Sequence, residues 1–364
     1  MKILSVNLWY DNYRNKTNAQ LASFRQFGYE TDVATISTAP KTLMVTFFSV
    51  TDNGITITDK KLFRSYRAAF VYIFEKASDS GYDLIYIRRL MSKLFYAASS
   101  IRRTGKCIPI IYEIPTYPLD TNETLLYRLR DSLEMKLYSS LDNYITLTTV
   151  ILRQDLKLPD NWISFHNGID INNYSVTAIP ELGSEIRFLA VANMADWHRY
   201  DRMIYAMREY SGKYTVRLII VAPENKTVNN LKTLVHSHNM ESMVEFAGKN
   251  DVSSIRELAR DCHIGVGQLS WSYDCPPQIN TIKTKEYCAM GLPFFTSCRD
   301  TSFDSDYPYA YVLKKMDDEL NLEDVIGWYE KIHENPSYKQ EMYDYAKDNL
   351  QFHELVNQIQ DRLK

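Results

Sequence analysis

The sequence has 364 residues and a mass of 42.5 kDa, which at about 100–200 residues per domain indicates two domains, or at most three. Hydrophobic residues make up 45% and charged residues 24%, an ordinary globular composition that excludes disordered, collagen-like and low-complexity classes. Residues 1–165 carry 21 Lys and Arg against 16 Asp and Glu, a net charge of +5, so the remainder carries −8 of the overall −3. A mildly basic half indicates either an ordinary solvated surface or contact with phosphate groups or an anionic membrane.

Nothing in the sequence predicts export or membrane insertion. No apolar run reaches the roughly 18 residues that a membrane span needs, and residues 1–10 are interpreted as a first strand rather than a signal peptide. The five cysteines are widely spaced and form no C-x-x-C pair, which favours reduced thiols. We therefore expect a cytoplasmic protein, with peripheral attachment to the inner face of the membrane left open.

Short apolar runs alternate with helical-period stretches through the first half of the chain. The predicted strands are residues 3–7, 31–36, 84–87, 108–113, 144–147 and 163–165. They do not alternate strictly between apolar and polar residues, which is typical of strands buried on both faces of a parallel sheet. Two further runs, 45–50 and 55–58, flank the turn-forming residues 51–54 and predict a hairpin inserted in this sheet.

The same rhythm restarts after residue 170 and ends in a helical tail. Strands are predicted at 188–192, 216–222, 244–248, 264–269 and 294–296, and two or three helices at 321–364. The expected architecture is therefore α/β, with Rossmann-like domains at 1–166 and 167–345 and a C-terminal helix, 346–364, packing back on the first domain. The two domains are expected to face across a central cleft that holds the ligand at the carboxyl ends of the strands.

The segment 278–297 predicts a short helix with clear start and stop signals. Asn280 or Thr281 can cap a helix that begins at Ile282, Gly291 suits the left-handed residue after it, and Pro293 stops its continuation. The free N–H groups of its first turn favour an anion, and Lys283 adds a positive charge. Lys283 would thus hold a diphosphate while Glu286 accepts hydrogen bonds from a ribose; the alternative is a simple i,i+3 ion pair.

Four motifs in order along the chain resemble family 4 glycosyltransferases, the retaining group with the GT-B fold. The run from Ile282 to Phe294, IKTKEYCAMGLPF, resembles the nucleotide-binding helix of that family, and Asn167-Gly168-Ile169-Asp170 resembles its interdomain turn. Two more segments, EIPTYP from Glu113 and WHRYDR from Trp197, resemble the subgroup that assembles bacterial capsular and exopolysaccharides.

The resemblance implies roles for particular residues of the second domain. Glu286 corresponds to the second acid of the family's E-x7-E motif, which contacts the ribose, whereas the first acid is replaced by Gln278. The cations that clamp the phosphates in many members are replaced by Asn193 and His198. A protonated His198 would restore the charge, with Arg202 as a further candidate; equally, His198 and Arg202 would stabilise their loop. The remaining donor-binding candidates are Gly248, Lys249, Thr281 and Ile282.

Two candidates lie in the first domain. Glu113 is expected at the end of a strand, where it would hydrogen-bond a sugar hydroxyl or assist the acceptor, or else cap a turn. Lys16, in the loop after the first strand, is a candidate for contact with the donor phosphates. A basic helix is expected to open at Arg88 and Arg89 and to continue to Lys106. Its charges would suit a membrane-facing rim if the acceptor is linked to polyprenyl diphosphate, and otherwise form a solvated surface.

The implied activity is retaining transfer of a hexose-type sugar from a nucleotide diphosphate sugar, most simply a UDP-sugar, to a glycan or lipid-linked acceptor. No cofactor, metal or nucleic-acid partner is expected; the triplet Asp304-Ser305-Asp306 is assigned no metal. Because Gln278, Asn193 and His198 depart from the family pattern, a noncatalytic GT-B subunit that binds or stabilises a partner transferase is the main alternative. A sugar-nucleotide epimerase is a third, and the missing glycine-rich motif disfavours a dinucleotide oxidoreductase.

Overall fold

The computed structural model describes residues 1–11, 13–119, 125–152, 156–270, 278–313 and 320–364, without the side chains of Ala39 and Gln278. The chain forms two compact units, one made of Met1–Asp170 with Phe352–Lys364 and the other of Ile171–Gln351. The first unit is therefore built from both ends of the chain.

Strands and helices follow each other in α/β order. The strands of the first unit are β1 (Lys2–Val6), β2 (Glu30–Ala39), β3 (Thr42–Thr51), β4 (Gly54–Phe63), β5 (Leu84–Arg88), β6 (Ile110–Tyr117), β7 (Leu147–Leu152) and β8 (Trp162–Ser164). Those of the second are β9 (Glu185–Val191), β10 (Thr215–Val221), β11 (Val244–Gly248), β12 (Ile264–Val266), β13 (Gln278–Ile279), β14 (Phe294–Thr296), β15 (Arg299–Asp300) and β16 (Ala310–Val312). The helices are α1 (Arg14–Gln26), α2 (Tyr66–Asp79), α3 (Leu94–Thr104), α4 (Leu125–Ser139), α5 (Tyr200–Glu209), α6 (Lys226–Ser237), α7 (Val252–Arg260), α8 (Ile282–Ala289), α9 (Leu322–His333), α10 (Tyr338–Asn349) and α11 (His353–Leu363).

The described strands of the first unit form one sheet in the order β4-β3-β2-β1-β5-β6-β7-β8. Its strands pair in parallel from β2 to β8, and β2, β3 and β4 pair antiparallel, which confirms the inserted hairpin and lengthens it. The strand expected at 144–147 was misplaced, because Asp142–Tyr144 forms a 3₁₀ turn and β7 starts at Leu147. The tail folds as three helices, and Leu355, Val356 and Ile359 of α11 are buried with Ile3, Phe24 and Phe165 of the same unit.

The second unit contains a six-stranded sheet in the order β11-β10-β9-β12-β14-β16, and its strand pairs are parallel. The chain order reverses between β9 and β12, so the connections that follow these two neighbouring strands leave the same edge of the sheet in opposite directions. In parallel α/β sheets such a switch point opens a crevice at the carboxyl ends of the strands. That crevice is where the segments after β9 and β12 meet.

The basic helix expected from residue 88 to residue 106 does not exist in that form. Arg88 ends β5, Met91–Lys93 is a 3₁₀ turn, and α3 starts only at Leu94. Arg88 pairs with Glu113, and Arg89 pairs with Glu134 and Asp131. The prediction that Arg88 and Arg89 belong to an exposed basic face was therefore wrong, because both guanidinium groups are drawn inward by buried carboxylates.

Among the described helices, none combines the length and the apolar character needed to cross a bilayer. The described residues likewise bring together no group of three or more His, Cys, Asp or Glu side chains suited to holding a metal ion.

Candidate nucleotide-binding site

Helix α8 forms where its local signals place it. It begins at Ile282 after Thr281 in extended conformation, and Gly291 follows it with φ of +65°. The Leu292 N–H closes the end of the helix on the Tyr287 carbonyl at 2.9 Å. A β-carbon at Gly291 would lie 2.8 Å from Cβ of Lys339, so both the backbone conformation and the close packing of α10 require glycine here. The predicted start and stop of this helix are confirmed.

Tyr287 fixes α8 against the sheet of its unit. Its hydroxyl accepts from the Val191 N–H at 2.9 Å and lies 3.1 Å from the Leu189 carbonyl oxygen, to which it donates. The ring packs against Gly265 in β12, where a β-carbon would come within 2.7 Å of Cδ2. A tyrosine buried to this extent needs partners for its hydroxyl, and β9 supplies them. The helix is thus held in one orientation behind the switch point.

A buried ion pair supports the first turn of α8 from below. Lys285 donates to the Thr281 carbonyl at 3.0 Å and to Asn280 Oδ1 at 3.1 Å, and pairs with Asp300. Asp300 in turn accepts from the Thr281 N–H at 3.2 Å and from the Thr284 hydroxyl at 2.5 Å. Burial lowers the pKa of Lys285, and Asp300 opposes that shift. Asp300 therefore anchors the backbone of Thr281, the residue before the helix, whose own side chain does not cap the first turn.

Lys283 and Glu286 are half-buried on the least covered side of α8, its open side, opposite the fully buried residues of the helix. Burial lowers the pKa of Lys283 to about 7, with Glu286 opposing the shift. Burial also raises the pKa of Glu286 to about 7, although the Tyr174 hydroxyl, which donates to Oε1 at 3.1 Å, and the Lys283 cation both act to lower it. Both side chains therefore have a pKa near neutrality, and shifts of this kind cluster at functional sites.

The loop after β9 contacts the segment after β12 at the switch point. Asp196–His198 forms a 3₁₀ turn, and the carbonyl of His198 accepts from the Leu269 N–H at 3.0 Å in the segment after β12. Arg202 Nη1 donates to the Leu269 carbonyl at 2.7 Å, so this arginine stabilises the loop, which is the second of the two roles considered for it from the sequence. Asn193 is exposed in the same loop. The loops after β9 and β12 thus form one surface.

His198 is neutral in the ligand-free protein. Burial, and then the nearby Lys283 cation, lower its pKa to about 3, although its hydrogen bonding to Ala195 acts in the opposite direction. Its ring lies between those of Trp197 and Tyr200, with centroids 5.8 and 5.7 Å away. The imidazole therefore serves as a packed, loop-closing group here, and it would carry a charge only if a bound anion raised its pKa.

The other candidates of this unit lie at the same edge or outside the described part. Gly248 ends β11 with φ of +71°, and Lys249 is exposed directly after it, two strands away from the switch point. Thr281 and Ile282 are half-buried at the start of α8. Gln278 begins β13, which pairs with β15, but its side chain lies outside the described part of the chain.

In the first unit, Glu113 and Lys16 belong to a buried polar cluster. Glu113 lies inside β6 rather than at its end, and its carboxylate, 0% exposed, accepts from Lys16, Gln20, Tyr86 and Arg88 at 2.7–3.2 Å. Burial acts to raise the pKa of Glu113, but Lys16 and Arg88 overcome it and hold the pKa at about 2. Lys16 lies on α1 rather than in the preceding loop. Glu113 is thus an internal counter-ion, a different environment from the sugar contact expected of it.

Sequence reasoning missed the residues that support the site through tertiary contacts: Tyr174, Tyr200, Lys285, Tyr287 and Asp300. Tyr200 accepts from Lys283 Nζ at 3.3 Å, and Tyr174 holds Glu286 from a position 112 residues earlier. Lys285 and Tyr287 are in the motif itself, yet helical spacing alone gives them no role. Tyr174 follows the NGID turn closely, and this closeness is the one signal that could have singled it out.

Comparison with known proteins finds similarity in three-dimensional structure. No protein-family model matches the sequence, and no curated protein matches it. Among solved structures, Anabaena HepE in complex with UDP-glucose has a TM-score of 0.67 at 13% identity, covering 100% of this chain and 99% of that one. A glycosyltransferase from Rickettsia africae has a TM-score of 0.68 at 10% identity, covering 100% and 98%. Sucrose-phosphate synthase from Thermosynechococcus elongatus has a TM-score of 0.64 at 12% identity, covering 99% and 98%.

These similarities extend over nearly the full length of the chain, so they cover both units. The chain has the GT-B fold, with two Rossmann-like α/β units, as the sequence predicts.

Proposed function

We propose that this protein is a glycosyltransferase whose donor is a nucleotide diphosphate sugar. The observation that carries the proposal is the pair formed by Lys283 and Glu286 on the open side of α8, both with a pKa of about 7. They stand at the carboxyl edge of the sheet, at its topological switch point, where α/β proteins bind their ligands. The GT-B neighbours support the proposal, since the Anabaena HepE structures contain UDP, UDP with glucose, or UDP-glucose.

The donor would bind by charge complementarity at both ends of the first turn of α8. The N-terminal N–H groups of the helix and the Lys283 ammonium face a diphosphate, whose charge restores the proton that burial disfavours on Lys283. Glu286, held by Tyr174, would accept hydrogen bonds from the ribose diol. Each contact favours the charged form of the protein group, so donor binding would convert a nearly neutral pair into a charged one.

We assign the reaction to the retaining class, as the resemblance to family 4 glycosyltransferases implies, with a UDP-sugar as the expected donor. The bond between the anomeric carbon and the β-phosphate oxygen breaks, and the acceptor hydroxyl oxygen bonds to that carbon on the same face. The proton of the acceptor hydroxyl passes to the departing phosphate oxygen. The acceptor is a glycan or a lipid-linked sugar in bacterial surface-polysaccharide or glycoconjugate synthesis, and catalysis depends on clamping the diphosphate charge.

A noncatalytic GT-B subunit is the second candidate, and the loop after β9 favours it. The positions at which many family members clamp phosphate with cations hold the exposed Asn193 and the neutral, packed His198. Such a subunit would bind nucleotide through α8 without turning over any donor and would co-purify with a second chain.

Donor screening distinguishes these functions. The protein is incubated with a panel of nucleotide sugars and acceptors while free nucleotide is measured, and the product's anomeric configuration is read by NMR. Thermal-shift measurements with nucleoside diphosphates identify the base, because binding raises stability by RT ln(1 + [L]/Kd).

Lys283→Ala and Glu286→Ala should each reduce donor use at least ~100-fold, the loss of ~3 kcal/mol expected when a charge-assisted contact is removed. The exposed Lys331 and Glu257 of the same unit provide matched controls, as Lys331→Ala and Glu257→Ala. Wild-type rates in both site variants would refute the site. Nucleotide binding without turnover of any donor would support the noncatalytic subunit.

A further inference from the structure

Helix α4 presents large apolar side chains outward. Leu125, Leu126, Leu129 and Leu133 are between 54 and 77% exposed, and together they cover one side of the helix over about two turns. Monomeric proteins seldom expose contiguous apolar side chains in this way without a binding role. The same helix fully buries only Glu134 and Tyr138 among its fifteen residues, while Met135 and Leu137 pack partly buried against the core.

The charges of α4 are sorted by sign. Both of its acids face the protein, where Asp131 and Glu134 pair with Arg89 at 3.2 and 2.7 Å. The outward leucines are accompanied by Arg128 and Lys136, both exposed. Within the described helix Leu125–Ser139, the outward side therefore carries cations and no carboxylate. A surface of this kind complements a partner that is anionic outside and apolar inside.

Helix α3 extends the surface. Arg102 is exposed and donates to Ser140 at 3.0 Å, directly after the end of α4. Phe95, 52% exposed, lies seven residues before Arg102 and so on the same side of α3. The combined patch contains one aromatic and four leucine side chains with three cations beside them.

From this arrangement we propose that the α4 patch docks the protein on an anionic lipid bilayer. The patch is defined by Phe95, Arg102, Leu125, Leu126, Arg128, Leu129, Leu133 and Lys136. The leucines would enter the boundary between head groups and acyl chains, and the cations would contact lipid phosphates, as amphipathic interfacial helices do. The inward pairs with Arg89 hold α4 in place, so docking requires no refolding.

The charge pattern disfavours a second copy of the chain as the occupant. In a two-fold contact the patch of one chain would face the same patch of the second chain, so Arg128 and Lys136 would approach the cations of that second patch. A bilayer instead offers phosphates to every cation at once. This proposal does not depend on donor chemistry, because vesicle binding is measured without turnover.

The test is co-flotation of the full chain with vesicles of phosphatidylcholine alone or with one third phosphatidylglycerol. We expect binding to the anionic vesicles that 0.5 M NaCl weakens. Arg128→Gln with Lys136→Gln should lower the partition coefficient ~25-fold, about fivefold for each cation near an anionic surface. Leu129→Ser with Leu133→Ser should lower it at least ~10-fold, because two apolar anchors are removed.

Lys60 and Leu62, which are exposed on β4, supply matched controls as Lys60→Gln and Leu62→Ser, and both should bind like wild type. Circular dichroism checks that every variant is folded. The proposal is overturned by equal binding to neutral and anionic vesicles, by no binding to either, or by leucine variants that bind unchanged. A dimer in sedimentation that Leu129→Ser with Leu133→Ser converts to monomer, without vesicle binding, would assign the patch to self-association instead.

Discussion

Lys285 and Asp300 form an ion pair beneath the first turn of α8, with 3.5 Å between Nζ and Oδ1 and both side chains at most 1% exposed. Neither residue faces the proposed donor, yet the pair determines where the N-terminal N–H groups of the helix point. The proposed nucleotide site therefore depends on a charged contact that lies inside the protein, between two residues fifteen positions apart in sequence.

Removing the acid of this pair should destabilise the protein. Asp300→Ala leaves the Lys285 ammonium buried without its counter-ion and the Thr281 N–H without its acceptor, so we expect a loss of ~3–5 kcal/mol in the free energy of unfolding. Urea unfolding measures the loss. The exposed Asp306 serves as the control, and Asp306→Ala should change stability by less than ~0.5 kcal/mol. Equal stability of the two variants would show that the pair has no structural role.

Donor affinity should depend on pH in a bell-shaped manner with its maximum near pH 7. Below that pH the free protein holds a proton on Glu286, and above it Lys283 loses one, because both have a pKa of about 7. Since the diphosphate needs the charged lysine and the ribose needs the charged acid, affinity should fall by up to ~10-fold per pH unit on each side. Titration calorimetry with UDP-glucose, whose diphosphate does not titrate in this range, measures the profile.

Two variants assign the limbs of that profile. Lys283→Met should remove the alkaline limb and Glu286→Gln the acidic limb, each at lower affinity. His198 carries no proton in this range before the donor binds, because burial and the Lys283 cation lower its pKa to about 3. A flat wild-type profile between pH 5.5 and 9 would contradict the assignment of Lys283 and Glu286.

Glu113 should stabilise the first unit in a pH-dependent way. Its folded-state pKa of about 2 is below its ordinary value of 4.5, so its contribution is complete above pH 4.5 and is lost as the pH falls through 2. Unfolding at pH 7 should show a loss of ~3 kcal/mol for Glu113→Gln, which leaves Lys16 and Arg88 partly uncompensated. The variant should also lose less stability than wild type on acidification. Glu75→Gln, an exposed ion-pair partner on α2, should behave like wild type.

A single methyl group should displace α8 from the sheet. Gly265→Ala places Cβ at 2.7 Å from the Tyr287 ring, which is buried and cannot rotate away, so we expect a loss of ~1–3 kcal/mol and weaker nucleotide binding. A β-carbon at Gly327 on α9 would meet no neighbouring atom within 4 Å. Gly327→Ala should therefore be neutral or should stabilise by up to ~1 kcal/mol through higher helix propensity. Thermal unfolding compares the two, and similar losses would show that the ring contact is unimportant.

Donor turnover should be independent of divalent metal. The Lys283 ammonium and the N–H groups at the start of α8 would supply the positive charge that the leaving diphosphate needs. We expect equal rates in EDTA and in Mg²⁺. Loss of turnover in EDTA with recovery on adding Mg²⁺ would show that the phosphate clamp includes a metal ion.

Local patterns predicted the fold and the helix at the centre of the site. The alternation of buried strands and helices predicts two Rossmann-like units, and the signals at Thr281, Gly291 and Pro293 set the ends of α8, because caps and breakers act over a few residues. The strand at 144–147 was misplaced because an apolar run does not show whether it begins in a turn or in the ladder.

Charge states and exposure were decided by the tertiary structure. From the sequence, Glu113, Arg88 and Lys16 were each predicted to be surface or site residues. In the structure they form one buried cluster, although they lie up to 97 positions apart along the chain. The outward leucines of α4 are likewise visible only once its acids are seen to turn inward to Arg89. The sequence alone thus determined the alternation of strands and helices and the ends of α8, although not the starts of β7 and α3. Only the fold decided which charges are buried, paired or displayed, because burial and pairing depend on neighbours that are distant along the chain.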